Sequence, residues 1–236
     1  MAASPTPALP RWDANSPTLL ANLALIDAAV HDDAVRRVTP ALKRMREWHT
    51  VMMRGLDAED PTYVGRFRGT PGFPALAANV EIAGILGARH ADVGAQAQAF
   101  ESKVQATVAA LDALYPRPED LDDDGREAVI ELAAYAHGEW VRIHPFINGN
   151  GRTSRIWANL LMQRYGMPPV LAMRPRPAGQ DYTDAASACM NRDRAPLAVY
   201  IRKAYDAMVG AVKPAKAAPT TKVASKKASA RKSGAQ

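Results

Sequence analysis

The chain has 236 residues and 47% hydrophobic content, which fits one globular domain with a sizeable buried core. No run approaches the roughly 18 uninterrupted apolar residues that a membrane span needs, and the single cysteine, Cys189, excludes an internal disulfide and a cysteine-rich metal site. The net charge of +6 comes from residues 213–236, where six lysines and one arginine without any acid leave the rest of the chain at about −1; this excludes a basic domain.

Composition divides the chain into three parts. Residues 1–39 predict an irregular lead-in followed by a helix, residues 40–212 the main folded domain, and residues 213–236 a disordered Lys/Ala-rich tail. The first residues lack a basic stretch followed by an apolar core, so we expect no secretory signal and a cytoplasmic location without membrane contact. Non-specific, salt-sensitive DNA contact would suit the basic tail, and a plain solubilising role explains it equally well.

The first predicted helices are marked by proline and by apolar residues at helical spacing. Ser16 and Pro17 are typical of a helix N-terminus, and the helix that follows should reach about Val30. A second helix is predicted from Pro40 to near Gly55. Neither helix carries a cluster of chemically reactive side chains.

Residues 57–85 differ from the helices around them. Frequent glycine and proline exclude a long helix, and apolar residues near 63–67 and 80–82 suggest short extended pieces. The segment therefore predicts an irregular hairpin or flap.

Further helices are predicted at 92–115, at 124–142, from the turn at 149–151 to Gly166, at 182–191 and at 196–212. In the helix at 124–142 one apolar stripe recurs at helical spacing and should face the core. Pro145 cannot continue that helix and should hold His144 in an extended geometry. The fold class is therefore predicted to be all-α.

The candidate site is the stretch from His144 to Arg155, which reads His-Pro-Phe-Ile-Asn-Gly-Asn-Gly-Arg-Thr-Ser-Arg. Gly149 and Gly151 permit positive φ and lead into a helix whose first N–H groups form an anion site. Arg152 and Arg155 are three residues apart and can bind charged oxygens, while His144 can remove a proton. The sequence therefore predicts a base beside a phosphate-binding turn.

This stretch resembles the signature of the Fic (Fido) family, His-x-Phe-x-Asp/Glu-Gly-Asn-Gly-Arg-x-x-Arg, and the resemblance covers roughly residues 40–212. The matching positions are His144, Pro145, Phe146, Gly149, Asn150, Gly151, Arg152 and Arg155. The resemblance implies a Fic-like helical bundle with a small β-hairpin flap. It also implies an enzyme that transfers AMP from ATP to a Ser, Thr or Tyr hydroxyl of a target protein.

The same resemblance implies roles within the site. His144 would be the catalytic base. The residues that would bind the phosphates of ATP are Gly149, Asn150, Gly151, Arg152 and Arg155. Residues near 63–69, which include Phe67, Arg68 and Gly69, and residues near 80–84 resemble the flap, which holds the target segment by strand addition.

Two positions depart from the family pattern. The acidic residue that holds Mg²⁺ in the family is Asn148 here, and an amide oxygen is a weaker ligand for a hard cation than a carboxylate. Mg²⁺ remains implied, with Asn148 as a weak ligand.

Many relatives block the arginine at the position of Arg155 with a glutamate from a Ser/Thr-x-x-x-Glu helix, and no glutamate here has Ser or Thr four residues before it. We therefore expect inhibition by a partner protein in trans, or no inhibition of this kind.

Two alternative functions remain open. A Fic-like phosphotransferase would bind the nucleotide in the reverse direction and pass on its γ-phosphate. A nucleotide-sensing, nucleic-acid-associated protein with weak or no transferase activity is the other alternative. Asn148 and the basic tail motivate this second alternative.

Overall fold

The computed structural model of the protein describes residues 11–12, 14–82 and 84–212. Within them the chain forms seven α-helices: α1 (Pro17–Val35), α2 (Leu42–Met52), α3 (Val93–Leu114), α4 (Asp123–Ile143), α5 (Asn150–Arg164), α6 (Gln180–Ala188) and α7 (Ala195–Val212). An antiparallel hairpin of β1 (Glu81–Ile82) and β2 (Ile85–Leu86) pairs Glu81 with Leu86 and Ile82 with Ile85. The predicted all-α fold with a small hairpin is confirmed, whereas the predicted tail lies outside the described residues. No helix in the described part of the chain is long and apolar enough to cross a membrane.

Helix α5 is almost completely buried. Every residue in the range 152–162 is buried, because α5 packs against both α4 and α1. Trp140 of α4, Trp157 of α5 and Phe100 of α3 form an aromatic cluster with ring centroids between 5.1 and 5.6 Å apart. Trp140 Nε1 also donates a hydrogen bond to Thr153 Oγ1 at 2.8 Å. These contacts fix the start of α5 relative to the end of α4, which is where the candidate site lies.

Several helix ends follow from local chemistry. Ser16 Oγ accepts a hydrogen bond from Leu19 N–H at 3.2 Å, which confirms the predicted start of α1. Asp122 Oδ1 accepts one from Gly125 N–H at 2.7 Å at the start of α4. Gly166, with φ +73°, follows α5 as predicted, since only glycine adopts this conformation without strain.

Two helix ends differ from the prediction. α1 continues past Val30 to Val35, and α2 begins at Leu42 rather than at Pro40. The start of α2 is set by α3, because Glu101 Oε1 accepts a hydrogen bond from Leu42 N–H at 2.6 Å. A helix cap provided by a distant side chain leaves no signal in the neighbouring sequence.

The segment between α2 and α3 is irregular, as predicted, and holds short 3₁₀ turns together with the β1–β2 hairpin. Gly87 N–H donates to Val80 O at 3.0 Å, and Ala88 N–H donates to Arg142 O at 3.3 Å. The base of the hairpin is therefore attached to the C-terminal end of α4, directly before His144.

Candidate active site

A cavity of about 320 Å³ lies where α4 ends and α5 begins. The predicted site residues that line it are His144, Asn148, Gly149, Asn150, Gly151, Arg152 and Arg155. Arg174, Arg176 and Tyr182 line it from the chain that follows α5, and His137 lines it from α4. Among the described residues of the lining there are four arginines and no carboxylate, so the cavity suits an anionic ligand.

The turn before α5 is built around Gly149, which has φ +82°. A Cβ at this position would lie 3.1 Å from Met53 Cε and 3.3 Å from His49 Nε2, so both the backbone conformation and the available space favour glycine. α5 begins at the next residue, Asn150. Because the first N–H groups of a helix have no partners within it and carry partial positive charge, this end of α5 can bind an anion.

The side chain of Asn150 holds the turn together. Its Oδ1 accepts a hydrogen bond from Phe146 N–H at 2.9 Å, and its Nδ2 donates to Phe146 O at 2.8 Å. Phe146 itself is fully buried. The Asn150 side chain is therefore occupied within the protein, so the predicted phosphate contact of Asn150 falls to its backbone. Only the backbone N–H of Asn150 remains for an anion.

His144 adopts a left-handed conformation, with φ +53° and ψ +58°, and the extended geometry predicted from Pro145 is wrong. Its N–H donates to Trp140 O at 2.9 Å and ends α4, and this helix cap outweighs the preference that proline imposes. Nδ1 donates its proton to Val141 O at 3.2 Å, so Nε2 is the basic nitrogen. Burial lowers the pKa of His144 to about 4, and the ring is neutral at pH 7.

His49 of α2 packs against the turn and hydrogen-bonds to it, a role that the sequence did not predict. Its Nδ1 accepts a hydrogen bond from Gly65 N–H at 3.0 Å, so Nε2 carries the proton and donates to Asn148 O at 3.1 Å. The ring stacks on Phe146 with centroids 3.9 Å apart. Burial lowers the pKa of His49 to about 4. In the sequence, His49 lies at helical spacing with the apolar residues of α2, which is typical of a core position; only the fold places it against the turn.

Arg155 is buried and bound by neutral partners. Its Nη1 donates to Tyr182 Oη at 3.2 Å and its Nη2 to Met173 O at 3.0 Å, while its Nε is buried without a partner among the described residues. Tyr182 Oη also forms a hydrogen bond with His137 Nε2 at 2.8 Å. Burial lowers the pKa of His137 to about 3 and keeps it neutral. Arg152 is also buried, with both terminal nitrogens 3.5 Å from Trp12 O.

Of the three residues predicted to dock a target, Arg68 is buried, whereas Phe67 and Gly69 are half-buried. Arg68 is 1% exposed, and its guanidinium donates hydrogen bonds to four carbonyl oxygens. These belong to Ala78, Ala88, Ile143 and His144, at distances of 2.7–3.0 Å. The Phe67 ring packs edge-on against Trp140 and Phe146. Burial lowers the pKa of Arg68 to about 10.

Arg68 thereby connects the site to the hairpin. Two of its acceptors, Ile143 and His144, lie at the end of α4, and the other two lie on either side of the hairpin. The hairpin, rather than residues 67–69, borders the cavity, because Ile82 is part of the lining. Arg68 is therefore a structural residue that positions both.

The side chains present do not fit a Mg²⁺ site. Asn148 Oδ1, the predicted weak ligand, accepts a hydrogen bond from Gly149 N–H at 2.5 Å. No carboxylate is among the described lining residues, and the described part of the chain holds no group of three or more His, Cys, Asp or Glu side chains placed to bind a metal. Mg²⁺ prefers several oxygen ligands including carboxylates, which this lining does not supply.

Comparison with known proteins identifies relatives of this chain. The profile of the Fic/DOC family matches residues 39–162. Protein adenylyltransferase fic-1 of Caenorhabditis briggsae is 37% identical over 91 residues, which are 38% of this chain and 18% of that protein. Protein adenylyltransferase Fic of Drosophila persimilis is 60% identical over 42 residues, 18% of this chain and 8% of that protein. The chain thus matches less than a fifth of the length of these curated relatives.

Solved structures share the fold. Fic-1 (residues 134–508) from C. elegans superimposes with a TM-score of 0.56 at 24% identity, covering 82% of this chain and 48% of that one. A Fic domain from Bartonella quintana with bound ADP gives 0.52 at 18% identity, over 81% and 86% of the two chains. The Bartonella tribocorum BepC protein with bound AMPPNP gives 0.52 at 16%, over 81% and 89%. With its helical fold, its motif and a profile match over more than half of its length, this chain belongs to the Fic/DOC family.

Proposed function

We propose that the protein transfers AMP from ATP to a hydroxyl side chain of a target protein. The observation that carries the proposal is the position of His144, a neutral ring with Nε2 as its basic nitrogen, beside the start of α5 in a cavity that Arg152 and Arg155 also line. The names of the related adenylyltransferases support this activity. The ADP and AMPPNP bound to the two Bartonella structures support an adenine nucleotide as the substrate.

In the proposed reaction the hydroxyl oxygen of the target attacks the α-phosphorus of ATP. The bond between this phosphorus and pyrophosphate breaks, and the hydroxyl proton passes to Nε2 of His144. The N–H groups at the start of α5, together with Arg155, stabilise the negative charge on the leaving pyrophosphate. Bound polyphosphate favours the protonated ring, so it raises the pKa of His144 from about 4 and makes it a stronger base.

The β1–β2 hairpin is the proposed docking edge for the target. Ile82 on β1 lines the cavity, and Leu86 on β2 is 70% exposed. A target segment that adds to this hairpin as a further strand would bring its hydroxyl group close to His144.

Radioactive labelling tests the proposal. The purified chain is incubated with cell lysate and ATP carrying ³²P at the α-phosphate or at the γ-phosphate. We expect α-label in a protein band, and His144→Ala should reduce it by about 100-fold or more, because general-base catalysis contributes that much. His31→Ala, at an exposed position of α1, is the matched control and should label normally.

The same experiment distinguishes the alternatives. Transfer of γ-label without α-label would indicate a phosphotransferase instead. Label that survives His144→Ala would refute the role of this residue as the base. A protein that binds ATP but labels nothing with either isotope would favour the nucleotide-sensing alternative.

A further inference from the structure

The cavity is lined by two arginines in addition to Arg152 and Arg155 of the motif. Arg174 and Arg176 line it from the segment between α5 and α6. We propose that these two arginines bind the β- and γ-phosphates of the nucleotide in place of a divalent cation, so that the nucleoside triphosphate binds without metal. The inference rests on the proposed function only in taking a nucleoside triphosphate as the ligand.

The contacts of these arginines leave their charges unbalanced. Arg174 Nε donates to Asn15 Oδ1 at 3.3 Å. Arg176 Nη2 donates to Thr183 Oγ1 at 3.2 Å, and its guanidinium lies over the Tyr182 ring, 5.3 Å from the centroid. These partners are neutral, so none of them cancels the positive charge of either arginine. Arg174 is half-buried and Arg176 is exposed at the cavity. Because like charges gathered at one cavity repel one another, an anion that bridges them is favoured.

Arg174 also lies close to Arg155 in the folded structure. Arg155 Nη2 donates to the carbonyl of Met173, the residue immediately before Arg174, at 3.0 Å. The Arg155 side chain is 4% exposed, and its Nε is a buried donor without a partner among the described residues. The lining thus holds an unsatisfied donor next to two further cations, which is what a polyphosphate chain with many acceptor oxygens requires.

Arg155 and Arg176 also act on the same buried group. The pKa of His137 is lowered to about 3, chiefly by burial and further by the charges of these two arginines. Both arginines also contact Tyr182, since Arg155 Nη1 donates to its Oη at 3.2 Å and the Arg176 guanidinium lies 5.3 Å from its ring centroid. The two cations are therefore close enough to bind phosphate groups of one nucleotide. Arg174, two residues before Arg176, extends the same cationic surface.

The described residues of the lining include no carboxylate that could bind a divalent cation. The one side chain at the family's acidic position, Asn148, is a neutral amide whose oxygen already accepts a hydrogen bond from Gly149 N–H. Polyphosphate charge must nevertheless be offset on binding. Guanidinium groups do this directly, since they present paired donors that match two phosphate oxygens.

Isothermal titration of the full chain with AMPPNP and with AMP, each in EDTA and in MgCl₂, tests the inference. For the unaltered chain we expect the Kd for AMPPNP in EDTA to stay within about threefold of its value in MgCl₂. The double variant Arg174→Gln/Arg176→Gln should weaken metal-free AMPPNP binding by about 30-fold or more, since each lost charge-assisted hydrogen bond contributes about tenfold. AMP binding should change by less than about threefold, because AMP lacks the β- and γ-phosphates.

Two further variants make the result specific. Arg36→Gln/Arg89→Gln removes the same charge at exposed positions outside the cavity and should leave the Kd for AMPPNP unchanged. Arg174→Lys/Arg176→Lys keeps the charge but loses the paired donors, and its Kd should lie between those of the unaltered chain and the Gln variant.

Any of four results would overturn the inference: AMPPNP binding that is absent or more than tenfold weaker in EDTA, a Gln variant that binds normally, an equal loss for AMP, or an equal loss in the Arg36/Arg89 control. Failure of the proposed function has a different signature. Metal-free binding through Arg174 and Arg176 without any protein labelling would refute AMP transfer and leave the inference intact. Protein labelling with unchanged binding in the Gln variant would do the reverse.

Discussion

The motif turn, residues 144–155, and the connecting segment, residues 64–90, meet at the cavity but are held in place in different ways. In the turn, several hydrogen bonds join residues at most four apart, as between Asn150 and Phe146 or between Thr153 Oγ1 and Gly149 O, and His49 adds a long-range bond to Asn148 O. In the connecting segment, the main anchor is Arg68, which reaches residues as far as 76 positions away. Local bonds thus contribute much of the shape of the turn, whereas the segment depends mainly on one buried cation.

Loss of Arg68 should have the largest effect, since it tests whether one residue anchors the connecting segment. Arg68→Gln leaves several of its four carbonyl acceptors unpaired in the interior and should lower the free energy of unfolding by about 3–5 kcal/mol. Urea denaturation measures this loss. The control Arg66→Gln loses only a long hydrogen bond of 3.5 Å from Nη1 to Thr62 O and should cost about 1 kcal/mol or less. Similar losses for both variants would contradict the anchoring role.

Asn150→Ala tests the local bonds of the turn. It leaves the N–H and C=O of Phe146 unpaired and should lower stability by about 2–3 kcal/mol. Asn159 lies in the same helix as Asn150 and makes the same pair of bonds, with the backbone N–H and C=O of Leu171, but it does not line the cavity. Asn159→Ala should therefore cost a similar amount. Only Asn150→Ala should also weaken AMPPNP binding, as measured by titration. Unchanged nucleotide affinity would show that the turn keeps its shape without this side chain.

One glycine in each region allows a direct comparison, because Gly149 and Gly72 share the same φ of +82°. At Gly72 no atom lies within 4 Å of an added Cβ, so Gly72→Ala should cost only the left-handed strain, about 1–2 kcal/mol. At Gly149 the Cβ would also crowd Met53 and His49, and the cost should be about 1 kcal/mol greater. Chemical denaturation of both variants measures the difference. Equal costs would mean that the turn can shift to make room.

His49 joins the two regions, and its titration should make stability depend on pH. Its pKa is about 4 in the folded protein and about 6.5 when unfolded, so its contribution to stability is complete above pH 6.5 and is lost as the pH falls toward 4. In that window it contributes up to about 1.4 kcal/mol per pH unit to the slope of stability against pH. His49→Gln should reduce this slope in urea denaturation at pH 7.5, 6.0 and 5.0. An unchanged slope would show that His49 is not buried in the neutral form, and the exposed His31→Gln serves as the control.

The sequence predicted the parts of the fold that depend on neighbouring residues. The helical class, the cap at Ser16, the glycine after α5 and the buried stripe of α4 follow from spacing and cap chemistry, and the structure confirms them. It did not predict the start of α2, because Glu101 of α3 provides that cap. The conformation of His144 was predicted wrongly, because the preference that proline imposes was given more weight than helix capping.

The candidate site divides in the same way. The motif from His144 to Arg155 predicted a phosphate-binding turn beside a base, since its glycines, arginines and histidine lie within twelve residues of the chain. Tertiary structure alone decided that Arg68 is buried and donates to four carbonyl oxygens. It also brought Arg174 and Arg176 to the same cavity from beyond α5. Burial and long-range hydrogen bonds depend on which distant elements pack together, and local spacing carries no record of that packing.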